Sequence, residues 1–235
     1  EDSFDRNRID YYTNGQQSNT DFRNRYFNNR PDHGYSMTGK VTYSYSVKRG
    51  LFFDFSYKYN RTTSNRYSSL YRLDQLAGWG INSEHELGTL PSVDAYNRVM
   101  DIHNSYDSRQ TDNTHTLGAF LVWNKKTTKS EWWAQLVPNL SLLSRTMHYH
   151  SGNVDTTFTK RSILYNMYST FIKWRSTDHK YEFMFQYHVN GQAPDMNLFV
   201  NILNTTDPLN VTMGNTNLKP SYKHELISHF LRIYP

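Results

Sequence analysis

The stretch KVTYSYSVKRGLFFDFSYKYN, residues 40–60, constrains the fold more than any other part of the chain. Val41, Tyr43, Tyr45 and Val47 alternate with Thr42, Ser44 and Ser46. After Lys48-Arg49-Gly50, residues Leu51, Phe53, Phe55, Tyr57 and Tyr59 alternate with Asp54, Ser56, Lys58 and Asn60. Successive side chains of a strand point to opposite faces, so period-two alternation across a short Gly-containing turn predicts a β-hairpin. One face of that hairpin is apolar and aromatic, the other polar. Only Phe52 breaks the phase.

Two further units repeat the pattern. THTLGAFLVW and WWAQLVPNLSLLSRTMHYH flank the polar turn 124–131, and SILYNMYSTFIKW and YEFMFQYHV flank RSTDHK. Strands are predicted at 36–47, 51–62, 113–124, 131–149, 161–174, 181–190 and 221–233, with 4–13 as a candidate eighth. The connections at 48–50, 124–131 and 175–180 are short, whereas 61–112, 150–160 and 190–220 read as longer loops. Trp123, Trp132, Trp133, Trp174 and Tyr181 flank the short turns. Short turns at one end, long loops at the other and aromatics near the turns are the marks of an outer-membrane barrel.

Composition narrows the field. Hydrophobic residues make up only 37 % and mean hydropathy is −0.81, yet aromatics reach 16 %, which separates the chain from aromatic-poor disordered segments. The net charge of +5 is spread along the chain without a basic run, so nucleic acid is not an expected partner. The absence of cysteine excludes a disulfide scaffold and any Cys-based zinc site. No apolar stretch has the length of a membrane helix, and residues 1–30 lack the apolar core of a signal peptide.

A water-soluble β-sandwich also has alternating strands, and it stays open as an architecture. Pro138 falls within a predicted strand, where it would cost a ladder hydrogen bond. Residues 163–174 are apolar on both faces and cannot be phased. Eight strands would suffice to close a small barrel.

DPLNVTMGNTNLKPSYKHEL resembles the DPL…GNPxLKPEYxH segment of TonB-dependent outer-membrane receptors of Bacteroidetes. The matching residues are Asp207, Pro208, Leu209, Gly214, Asn215, Asn217, Leu218, Lys219, Pro220, Tyr222 and His224; Thr216 and Ser221 depart from the pattern. Residues 104–124 and 23–47 are similar to barrel segments of the same receptors. The resemblance implies an all-β, antiparallel transmembrane barrel of about 22 strands, of which residues 1–235 would supply about seven or eight. It implies nutrient uptake (a glycan, peptide or metal chelate) across the bacterial outer membrane. It also implies a plug domain, a TonB-type energy-coupling protein and outer-membrane lipid as partners, with a surface lipoprotein in the starch-utilisation-type branch. No plug pattern or energy-coupling peptide is present, so both are expected before Glu1. HELISHFLRIYP, closing on Pro235, reads as a cut within a longer barrel.

No catalytic constellation or cofactor motif is present: GxSxG, HExxH and phosphate-binding Gly loops are all missing, so an enzyme is not expected. His148 and His150 share a strand face but lack a third ligand in the sequence, so no metal is expected. In the long segment 61–112, Tyr71, Trp79, Asp101 and Tyr106 are candidate ligand-binding residues, in company with Tyr67, Asp74, Asp94 and Tyr96. Packing within the loop is the competing role for each. Asp54, Lys58, Glu182, Gln186 and His188 are candidates to line a wet lumen, His188 also to touch ligand.

Overall fold

The computed structural model of the chain describes residues 3–13, 16–81, 85–86, 89–152, 154–200, 203–204 and 212–234. Among these residues eleven strands form: β1 (Ser3–Thr13), β2 (Gln16–Lys48), β3 (Leu51–Arg72), β4 (Tyr106–Lys126), β5 (Ser130–Leu136), β6 (Pro138–Ser151), β7 (Val154–Ser176), β8 (Tyr181–Gln192), β9 (Leu203–Asn204), β10 (Thr212–Met213) and β11 (Ser221–Arg232). Among the described residues helix is confined to α1 (Val93–Asn97) and the 3-10 turns Leu73–Gln75 and Met196–Phe199. Among the described residues no helix is long and apolar enough to cross a membrane.

The main sheet is an antiparallel meander in the order β1-β2-β3-β4-β5-β7-β8-β11, with β6 continuing β5 between β4 and β7. β9 and β10 form a separate two-stranded ribbon. Among the described residues the sheet does not close on itself: β1 pairs only β2, and β11 pairs only β8. A complete small barrel within these residues is therefore not what forms. Nor, among the described residues, does a second sheet cover the apolar face as a sandwich would require.

Directly opposed residues of antiparallel strands share a face, so the register maps both faces. Tyr43 opposes Phe55, Phe55 opposes Ala119, and Tyr57 opposes Leu117. Leu117 opposes Leu140, and Leu140 opposes Tyr165. Ile172 opposes Phe185, and Phe183 opposes Phe230. The whole set lies on one face, and most of it is exposed, from Val41 at 71 % to Ile172 at 39 %. Phe52, the exception to the alternation, sits on the polar face edge-on to Phe120, with ring centroids 6.4 Å apart.

The unphased segment is explained by a bulge. Register between β7 and β8 shifts between Met167 and Thr170, where Ser169 takes a left-handed φ of 49°. One extra residue inverts the parity of a strand. Ile163, Tyr165 and Met167 are therefore on the apolar face before the bulge, and Ile172 and Trp174 return to it afterwards. The bulge faces the break at Pro138. The amide of Val137 donates to Thr170 Oγ1 at 3.2 Å, and Tyr168 donates to the Val137 carbonyl at 3.2 Å. The proline costs less than the sequence suggests, because the ladder is already interrupted there.

The strands outrun their predicted ends. β3 has 22 residues and β4 has 21, so β3 alone would reach about 75 Å at 3.4 Å per residue. In 61–72 and 106–112 both faces are polar enough to hide the alternation, but the backbone still pairs. The expected loop 150–160 is instead a tight turn between β6 and β7, and the long connections reduce to 73–105 and 193–220. The connections at 49–50, 127–129 and 177–180 are short and share one end of the sheet.

Candidate functional site

The described parts of the two long connections pack on opposite faces of the sheet at the end away from the short turns. On the apolar side, segment 73–105 packs Leu73, Trp79 and Tyr96 against Tyr26 of β2 and Tyr71 of β3. Tyr71 stacks on Tyr26 with centroids 5.2 Å apart, and Tyr96 stands edge-on to both at 4.9 and 5.3 Å. Leu73 and Trp79 complete the cluster, and Trp79 stacks on His85 at 4.1 Å. Burial raises the Tyr71 hydroxyl pKa above its usual value. Asp74 forms an ion pair with Arg25, and Asn24 Nδ2 donates to the Trp79 carbonyl at 3.2 Å. Tyr71 and Trp79 are thus brought together, but as packing core, and Tyr71 comes from β3 rather than from a loop.

Asp101 closes the turn that returns this segment to β4. Its carboxylate accepts the amides of His103 and Asn104 at 3.2 Å and Asn104 Nδ2 at 3.0 Å, while Ser105 Oγ donates to its carbonyl at 2.7 Å. A cavity of about 210 Å³ opens beside this turn, lined by Tyr67, Met100, Ile102, Tyr106, Asp107 and His150 among others. His148 Nε2 and His150 Nδ1 each lie 3.7 Å from an oxygen of Asp155, the acidic neighbour that sequence spacing did not reveal. Among the described residues no group of three such side chains is arranged to hold a metal ion.

On the polar face lies a strap, residues 193–200. Its Met196, Phe199 and Val200 are buried against Met147 and Tyr149, with Phe158 and Leu218 packed alongside. Tyr106 stacks on Tyr149 with centroids 5.6 Å apart. Buried Arg145 donates through Nη1 to the Pro194 carbonyl at 2.6 Å, and its Nε and Nη2 have no hydrogen-bond partner among the described residues. Asp195 caps the 3-10 turn by accepting the Asn197 amide at 2.9 Å and lies 3.8 Å from Arg66. Burial raises the pKa of nearby Asp112, with Gln110 and Arg145 opposing the shift.

The Gly214–Pro220 segment fastens this strap. Asn215 donates its amide to the Leu198 carbonyl at 2.7 Å, and Asn217 donates to Asn215 Oδ1 at 2.9 Å. A Cβ on Gly214 would fall 1.9 Å from the Val200 carbonyl oxygen, so only glycine permits this approach. Leu218 packs on the strap cluster, Lys219 is exposed, and Pro220 leads into β11. Lys160 spans both pieces, donating to the Thr216 carbonyl at 2.9 Å with its ammonium 4.8 Å from the centre of the Phe199 ring. Asp207, Pro208 and Leu209 lie outside the described residues.

His188 stands apart from these loops, half-buried on the polar face and opposite Glu225 of β11. On that face Glu182 pairs with Lys173 and Arg175, both at 2.7 Å, and Oδ1 of Asp54 is buried without a partner among the described residues. Sequence reading missed the strap and its anchors Arg145, Asp195 and Lys160. Segment 193–200 has no periodicity, and nothing local marks a basic strand residue as the partner of a carbonyl 49 positions away.

Comparison with protein-family models, with curated proteins and with solved structures finds no match to this chain.

Proposed function

We propose that the chain is wall and loops of an outer-membrane barrel that takes up a nutrient, a glycan, peptide or metal chelate, in the manner of TonB-dependent receptors. The observation that carries this reading is the apolar face. It runs over Leu51–Tyr59 in β3 and Tyr181–Val189 in β8, close to the 9–11 residues a tilted strand needs to cross a bilayer. The bulge at Ser169 keeps β7 in phase with it. The resemblance of 207–224 to these receptors supports the same reading. In it, lipid covers the apolar face, the polar face turns toward a plug domain, and binding takes place at the end bearing segments 73–105 and 193–220. A TonB-type coupling protein then drives release through the plug, and no chemistry on the substrate is required.

The test is cell fractionation followed by uptake. The protein should sediment with the outer membrane, require detergent for extraction, and be needed for proton-motive-force-dependent uptake of a glycan, peptide or chelate. Release as a monodisperse, folded protein without detergent would overturn the reading.

A further inference from the structure

We propose that the apolar face carries, immediately beyond the lipid band, a cationic collar that binds the phosphate groups of anionic lipid headgroups. The inference rests on the membrane reading above and names the lipid chemistry that this face would select.

The register places Arg61 opposite Asn113, Asn113 opposite Ser144, and Ser144 opposite Arg161. Arg109 opposes His148, four residues further along the strands. Because Tyr57 opposes Leu117 and Leu117 opposes Leu140 on this same face, Arg61 and Arg161 lie directly beyond the apolar band and Arg109 one step further out, all away from Arg145 and the strap. Arg61, Arg109 and Arg161 are all exposed, and none forms an ion pair with a carboxylate among the described residues. Asp107, the nearest acidic group in the register, lies two residues from Arg109 on the same face without an ion pair to it among the described residues, and Asp155 is already flanked by His148 and His150. Between the arginine positions runs a row of hydroxyls, with Thr146 and Thr159 hydrogen-bonded at 2.9 Å.

An arginine stem lies readily along an apolar surface while its guanidinium reaches the headgroup level. Guanidinium also pairs bidentately with phosphate, and neighbouring hydroxyls serve the remaining oxygens and sugar groups. Arg61 and Arg161 are three strand spacings apart, about 14 Å between backbones, which suits several headgroups along a wall better than one enclosed ligand. Each basic residue near an anionic surface strengthens attraction about fivefold.

The experiment uses the full chain in detergent micelles, titrated with phosphorylated lipid A and, separately, with dephosphorylated lipid A, bound lipid being counted by native mass spectrometry. The expected result is a preference for the phosphorylated form that falls at least about tenfold in R61A/R109A/R161A, consistent with the fivefold attraction per residue. Binding of the dephosphorylated lipid stays unchanged, and R61K/R109K/R161K keeps most of the preference. Equal binding of the two lipids by the unsubstituted protein overturns the proposal. So does an alanine variant that retains the preference or, if that variant misfolds, a folded lysine variant that has lost it. Failure of the membrane reading is seen earlier and separately, as a protein that stays folded and dispersed before any detergent is added.

Discussion

Tyr222 lies over Gly191 and stacks on Tyr165, with ring centroids 4.3 Å apart and planes 18° from parallel. Its hydroxyl donates to the Ile163 carbonyl at 3.0 Å, so one residue of β11 reaches across β8 to β7. A Cβ on Gly191 would meet the Tyr222 ring at 2.6 Å. Gly191→Val should therefore displace the ring and destabilise the sheet by about 1–3 kcal/mol, the usual cost of overpacking. The thermal unfolding midpoint in detergent measures it. In a Tyr222→Ala background the added cost should shrink, because the clash with the ring is gone and only the tight contact with the Tyr165 carbonyl at 3.1 Å is left.

Deletion of Ser169 removes the extra residue that resets the phase of β7. Ile172 and Trp174 would exchange faces with Lys173 and Arg175, taking the Glu182 pairs with them. The deletion is expected to abolish assembly, read as loss of protease-resistant protein in the membrane fraction. Ser169→Gly should be tolerated, since glycine adopts a φ of 49° without strain.

Tyr43 and Ser44 are neighbours on opposite faces, one opposite Phe55 and the other opposite Asp54. Tyr43→Arg should cost about 2–4 kcal/mol if the apolar face is buried in lipid at mid-depth. Ser44→Arg, beside a carboxylate, should cost little. Equal costs in chemical unfolding from lipid vesicles would remove the distinction between the faces.

The turn after β7 should respond to acid. Asp178 accepts the Ser176 hydroxyl at 2.6 Å and the Lys180 amide at 3.2 Å, and these bonds hold its carboxyl below the usual carboxylate range. A depressed carboxyl contributes stability that is present above the unfolded value, about pH 3.9, and is lost as pH falls through the lower folded value. Hydrogen exchange of the Lys180 amide should accelerate in that window, and Asp178→Asn should remove the pH dependence there.

The hairpin 40–60 was legible because its two faces meet different environments, and the alternation of Val41 to Tyr59 records that difference. The same logic failed at 61–69, where polar residues on both faces hide the alternation although the backbone still pairs. It failed again at 163–174, because the inserted residue is an ordinary serine whose backbone angle no composition rule marks. Among the candidate site residues, Tyr71 and Trp79 were recognisable as large aromatics, although Tyr71 belongs to the extended end of β3 and only Trp79 to a connection. Their partners Tyr26 and Leu73 come from a neighbouring strand and a 3-10 turn. The strap on the polar face left no trace, since its anchors Arg145 and Lys160 are far away in sequence.

The break at Pro138 and the bulge at Ser169 also make each other tolerable. A proline in a central strand and an extra residue in the next are separately faults, yet here each occupies the gap left by the other. The pair should therefore change together in mutational scans. Replacing Pro138 with a donor residue restores the demand for a regular partner and should make the surplus residue in β7 newly costly. Shortening β7 should become less harmful only in that background. The seam is thus a coupled unit of sequence length and residue type, and substitution scores taken one position at a time would miss it.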